Sequence, residues 1–347
     1  MTIASPDLVT ALRTGRTSRR ASGRRVVLVL GAALAATAAL SLMIGETFHT
    51  PAEVAAVLGG RHVPGASFAV GELRLPRTAL AVLAGASFGM SGVVFQTMLR
   101  NQLASPDIIG IADGAGAAGV VAIVFFHLNQ AAVSGFALTA GLLVAAGIYV
   151  LSLRGRFVGT RLILIGIGVA ALLQSVVTYS LSKAASWDLP TATRWLTGSL
   201  NSASWQWVAP VAVTLMVVAP LLILSGHRLS VLHMGTDLAT GLGVPVAVTR
   251  VAVIVGAVAL IAVATAACGP VAFVAFMSGP VALRLVGGGS SPIIPSALVG
   301  ALLVLTADLV GQFALDTRYP VGVVTGLLGA PYLIHLLIRS RRTGGIS

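Results

Sequence analysis

The 347-residue chain is 56% hydrophobic and only 9% charged, with a mean hydropathy of +0.97. Soluble domains carry about 25% charged residues, so the composition excludes a soluble globular protein and requires an integral membrane one. The net charge of +12 is not gathered on one face, as nucleic-acid binding needs, but sits at the ends of apolar runs. The single cysteine, Cys268, excludes an internal disulfide and a cysteine metal cluster.

In chain order, residues 1–25 hold six arginines between Arg13 and Arg25 among Ser, Thr and Gly. That composition predicts a disordered cytoplasmic tail lying near anionic headgroups. Residues 26–44 are long enough to span a bilayer and are not followed by a small-residue cleavage site, so they read as a first span rather than a signal peptide. Nine further apolar runs follow, at 78–98, 106–126, 131–151, 162–182, 208–224, 248–268, 270–287, 295–315 and 320–338. The expectation is an all-α polytopic membrane protein with ten transmembrane helices in 26–339 and a second cytoplasmic tail at 340–347. With the N-terminus inside, sixteen of the 22 basic residues fall on the cytoplasmic side. This agrees with the positive-inside rule and puts both termini in the cytoplasm.

Several stretches interrupt that pattern. In GELRLPR (71–77), Arg74 and Arg77 lie outside, against the charge bias; they are either headgroup anchors or contacts for a partner. Two carboxylates fall inside apolar runs, Asp113 in GIADGAG and Asp308 in LLVLTADLVGQ. Intramembrane acids are costly and are functional candidates by default. They would couple proton or sodium flow in a secondary transporter, or else cap a broken helix or bond a neighbouring one; neither has an evident basic partner. In the fifth run Gln174, Thr178 and Ser182 recur every four residues, with Ser175 and Tyr179 beside them. Such a stripe serves either as hydrogen-bonding glue between helices or as the lining of a path. Trp195, Trp205 and Trp207 in an outer loop suit an interfacial belt. Arg100–Val120 and Arg318–Leu333 each run from an arginine through Pro into a Gly-rich helix from opposite sides, the relation of an inverted repeat.

Enzyme chemistry is missing. The six histidines include no H-x-x-x-H pair. Lys183, in SLSKAAS, is the sole lysine, so the chain cannot supply a Gly-Lys-Ser/Thr phosphate loop. Any ATP hydrolysis must occur on another polypeptide.

The series LRLPR (73–77), QTMLRNQLASPDIIGIADGAG (96–116), GTDLATGLGV (235–244), GPVAFVAFMSGPVALRLVGG (269–288), ALLVLTADLVG (301–311) and YPVGVVTGLLGAPYLIHLLIR (319–339) resembles one family in both content and order. It is that of the permease subunits of bacterial ABC importers for ferric siderophores, haem and cobalamin, the FecCD family, matched over about residues 26–339. The resemblance implies a type II ABC importer permease architecture in the cytoplasmic membrane. It implies a second permease subunit, identical or different, two cytoplasmic ATPases that bind ATP and magnesium, and an extracytoplasmic binding protein. No cofactor is implied for this chain. A ferric siderophore is the leading cargo, with cobalamin or haem next; a carrier coupled through Asp113 or Asp308 is the reading from another class.

The resemblance also implies roles. Arg74 and Arg77 would dock acidic residues of the binding protein. The family's L-A-D-x-x-A-R arginine is replaced here by Gln312, with Arg318 a substitute. The stripe of Gln174, Thr178, Tyr179 and Ser182 would line the pathway with the tenth helix. Asp237 would start the first of two short helices seated on the ATPase, with Gly241 and Gly243 in the turn between them. Arg284 would belong to a second ATPase-facing segment, where Gly279-Pro280 stands in place of the Pro-His of many relatives.

Overall fold

The computed structural model describes residues 6–106, 110–152, 159–287, 291–314 and 316–343. Asp107 of the SPDIIG segment, the loop arginines Arg154 and Arg156, and the last residues of the 340–347 tail lie outside the described residues.

Among the described residues, ten apolar helices follow the ten expected runs: α1 (Pro6–Met43), α3 (Leu75–Leu99), α4 (Ile111–Val124), α5 (Gln130–Ser152), α6 (Gly159–Lys183), α8 (Trp205–Leu224), α11 (Val246–Cys268), α12 (Val274–Val286), α13 (Ile293–Phe313) and α14 (Val321–Thr343). Eight are long and apolar enough to cross a membrane. The other two, α4 and α12, have 14 and 13 residues, or about 21 and 20 Å, against a hydrocarbon core of about 30 Å. Each is shortened at its start by a left-handed residue, Gly110 (φ 87°) before α4 and Phe273 (φ 65°) before α12. Irregular backbone at membrane depth survives only when buried in protein or against a cavity, and Ala104, Ile111, Val271 and Val274 around these breaks are buried.

Four short helices sit between spans: α2 (Pro51–Leu58), α7 (Leu189–Thr197), α9 (Gly226–Met234) and α10 (Thr236–Gly241). A π-helical segment, Ser67–Arg74, leads into α3. From Pro6, the described part of the arginine-rich 1–25 segment is helical and continuous with the first span. Proline is pre-set for the first turn of a helix. A helix already nucleated by an apolar span also extends at one hydrogen bond per residue, without a new nucleus.

Helix α3 is the centre of the bundle, buried almost throughout between Leu80 and Met98 and packed against α13, α11, α12 and α8. Lipid offers no hydrophobic drive for association, so close backbone contact must supply it. Small residues permit that contact: a Cβ on Gly89 would overlap the Ser296 carbonyl of α13, and one on Gly85 the Gly300 carbonyl. A second group, α4 with α5 and α6, packs alongside. Trp195 of α7 is buried there with its indole against Gly119, so it does not belong to the expected belt; the room left by a glycine admits the ring.

The helix ends sort into two faces. The RLPR face gathers the end of α1, α2, the start of α3, α7 and the start of α14. The elbow face gathers α9, α10 and the C-terminal ends of α3 and α12.

Candidate functional site

On the RLPR face the three candidate docking arginines surround a cavity of about 290 Å³. Each is held within the chain. Arg74 donates from Nη1 to the carbonyls of Leu42 and Met43, both at 3.0 Å, and from Nη2 to that of Thr47 at 2.7 Å. The last carbonyls of a helix lack intrahelical partners and carry its negative dipole end, so Arg74 caps α1. Arg77 forms a two-pronged bond to Asp308, Nε to Oδ2 and Nη2 to Oδ1, both at 2.8 Å. Gln312, one turn along α13, donates to the same Oδ2 at 2.7 Å. Asp308 is only 3% exposed. Contrary to expectation, this acid has a basic partner, 231 residues away in sequence. Arg318 pairs with Glu46 at 2.6 Å, with side chains 63% and 82% exposed. Of the three arginines it alone is exposed, and its pair lies on the surface.

Asp113 sits in the first turn of α4, where a carboxylate suits the helix dipole. Among the described residues it forms no ion pair.

The stripe on α6 is exposed at Gln174, Ser175, Thr178, Tyr179 and Ser182. Its hydroxyls bond their own helix: Ser175 to the Ala171 carbonyl (3.0 Å), Thr178 to Gln174 (3.0 Å) and Ser182 to Tyr179 (2.7 Å). Such back-bonding is a common resort of mid-helix Ser and Thr. These groups are therefore not glue between helices of this chain. Tyr179 stacks on Phe125, and the Lys183 ammonium lies 5.9 Å from its ring centroid.

On the elbow face the two short helices lie one step earlier in the sequence than expected. The first is α9, built from GHRLSVLHM, and Asp237 opens the second, α10. The turn between them is Gly235, at φ 144°, a conformation that favours glycine. Gly241 and Gly243 instead close α10 and lead into α11, Gly243 at φ 77°. Ala239 anchors α10 against Val231 and Leu232, and Leu238 and Leu242 project, 51% and 61% exposed. The motif reading missed these two leucines; the signal was a pair of apolar residues four apart, Leu238 inside the short polar helix and Leu242 at its C-terminal cap. Arg284, at the end of α12, lies 5.7 Å from the ring centroid of Tyr332 on α14.

The model for the FecCD transport family matches residues 33–339. The chain belongs to that family. It is 39% identical to the achromobactin transport system permease protein CbrC of Dickeya dadantii over 347 residues, covering 96% of this chain and 98% of that protein. It is 38% identical to the ferric enterobactin transport system permease protein FepG of Escherichia coli over 305 residues, 87% of this chain and 92% of that one. A solved metal-chelate type ABC transporter in an inward-facing conformation superposes with a TM-score of 0.81 at 28% identity, covering 91% of this chain and 99% of the other. FecCD membership makes the chain the permease of a bacterial ABC importer, a multi-pass inner-membrane subunit that is not itself catalytic and holds no cofactor. The ATPase and the binding protein are other chains. The alternative of an ion-coupled carrier falls with that membership, and the pairing of Asp308 with Arg77 removes one of its two candidate sites.

Proposed function

We propose that this FecCD permease carries ferric siderophores across the cytoplasmic membrane. The observation that carries the reading is the near full-length similarity to permeases named for achromobactin and ferric enterobactin. Two permease subunits would stand side by side with two ATPases beneath them. The exposed stripe at Gln174, Thr178, Tyr179 and Ser182 supports a wet path between the subunits, because polar groups facing lipid would be expensive.

The RLPR face would point outward and the elbow face, with both termini, toward the cytoplasm; the charge bias supports this orientation. Arg318, exposed and only loosely held, would then make the first contact with an acidic binding protein. Arg74, whose partners are uncharged carbonyls, would supply positive potential behind it, whereas Arg77, neutralised by Asp308, would hold the face in shape. On the cytoplasmic side Asp237, Gly241 and Gly243 of the α10 region, with Arg284, would seat the ATPases. ATP-driven closure would rock the helices as rigid bodies and alternate access to the path.

The test is uptake in cells lacking their own siderophore permeases but supplied with this chain, its ATPase and its binding protein. Labelled ferric catecholate, hydroxamate and citrate complexes would be compared with vitamin B12 and haem. Accumulation of an iron chelate alone is the expected result. Accumulation of vitamin B12 or haem alone would overturn the cargo assignment.

A further inference from the structure

The inner end of α3 is tied to both segments proposed to seat the ATPase. Arg100 follows the last residue of α3 and adopts a left-handed conformation, φ 51° and ψ 35°, where glycine is the usual occupant. Its Nη2 donates to the Leu232 carbonyl at 3.0 Å. That carbonyl, at the C-terminal end of α9, also accepts the N–H of Gly235 at the elbow. A cation there meets the negative end of the helix dipole. His233 adds a second tie, its Nδ1–H directed at the Thr97 carbonyl at 3.3 Å. One turn back along α3, Gln96 is 3% exposed and donates from Nε2 to the Phe276 carbonyl of α12 at 2.9 Å. Its Oε1 lies against Gly279 and has no hydrogen-bond partner among the described residues.

We infer that Arg100 and Gln96 are positioning residues of the transport cycle, fastening the α9–α10 elbow and α12 to the inner end of α3. Helix α3 is continuous for 25 residues from there to Leu75, about 37 Å at the usual helical rise. At its other end Arg77 grips α13, and Arg74, in the adjoining segment, grips α1. Displacement at the ATPase thus reaches the docking face along one buried helix. A strained left-handed arginine persists where its surroundings require the side chain; a cap alone would be better served by glycine. This inference rests on the proposed seating of the ATPase on the α10 region and α12.

The decisive variant is Arg100→Gly, which keeps the left-handed backbone and removes the guanidinium. In the complete transporter, with ATPase and binding protein in lipid nanodiscs and proteoliposomes, the measurements are bound ATPase, thermal midpoint and chelate transported per ATP hydrolysed. The expected result is full assembly and an undiminished midpoint, with transport per ATP reduced roughly two- to thirty-fold, the range for residues along a coupling network. Arg100→Lys should recover most of it, and Gln96→Met should reproduce part of the loss. Unchanged transport per ATP in Arg100→Gly would overturn the inference. So would a lowered midpoint or lost ATPase, since Arg100 would then be a structural cap. The seating is tested separately with Leu238→Asp/Leu242→Asp, which should release the ATPase. If the ATPase stays bound, the seating reading fails, and with it the elbow arm of this inference, whatever Arg100→Gly does.

Discussion

The two faces of the bundle use their side chains in opposite ways. On the RLPR face the conspicuous charges are already spent: Arg77 on Asp308, Arg74 on three backbone carbonyls, Arg318 on Glu46. On the elbow face the conspicuous groups are apolar and unspent, with Leu238 projecting from a six-residue helix and Leu242 from its C-terminal cap. On the proposed reading, the face that would meet the binding protein keeps its shape through these internal ties. On the same reading, the face that would seat the ATPase offers protruding apolar surface and a firm root.

Breaking the deepest clasp should have the largest effect. Asp308→Ala strands Arg77 without a counter-charge, and removing one partner of a buried pair costs about 3–5 kcal/mol. The expected outcome is a large fall in thermal midpoint in detergent, partly recovered in the Arg77→Ala/Asp308→Ala double variant. A midpoint close to the parent's in Asp308→Ala would mean that the pair is not a clasp.

Next comes the helix that joins the faces. Gly89→Val places a branched side chain against the Ser296 carbonyl, and such overpacking costs about 1–3 kcal/mol. Loss of monodispersity or a lowered midpoint is expected, against little change for Gly31→Val, where a Cβ meets nothing within 4 Å.

The exposed pair is the opposite case. Arg318→Glu should change stability by less than about 1 kcal/mol, yet weaken association with the binding protein, most visibly at low salt where rim charges act. Binding titrations across salt concentrations check this; an unchanged affinity would remove Arg318 from the docking face.

The smallest effect is at α2. Thr50 caps this helix, and its backbone N–H donates to Glu53 at 2.8 Å. That bond, with the Thr50 hydroxyl and nearby His49, holds the Glu53 carboxyl below its ordinary value of 4.5. A depressed acid stabilises the folded state above its ordinary pKa and ceases to do so as the pH falls through the lowered value. The protection of the α2 amides, taken relative to the intrinsic exchange rate at each pH, should therefore fall below about pH 4.5 in the parent, but not in Glu53→Gln, whose amide keeps the capping bond at any pH.

Much of this was legible beforehand because membranes simplify the reading. Ten apolar runs became ten helices in the same order, and α4 and α12 came out short where glycine, proline and a left-handed Phe273 break the pattern. The partners were not legible. Nothing in ELRLPR states that Arg74 will meet carbonyls 31 and 32 residues earlier, or Arg77 a carboxylate 231 residues later. Those pairings arise from helix packing, which small residues direct at distances no local pattern records. The elbow was displaced for a local reason. Its motif glycines drew attention to 241 and 243, whereas the bend falls at Gly235, and the helix before it has no distinctive composition. The stripe on α6 was visible as a stripe, but whether it bonds neighbouring helices depended on where its hydroxyls turned.

The most direct test of an ATP-driven importer is uptake of a labelled ferric siderophore into proteoliposomes holding this chain, with the ATPase and binding protein supplied or withheld. Accumulation that requires ATP and both partner proteins, and that persists when proton and sodium gradients are collapsed, is the predicted result. Uptake driven by an ion gradient in the absence of the ATPase would contradict the account.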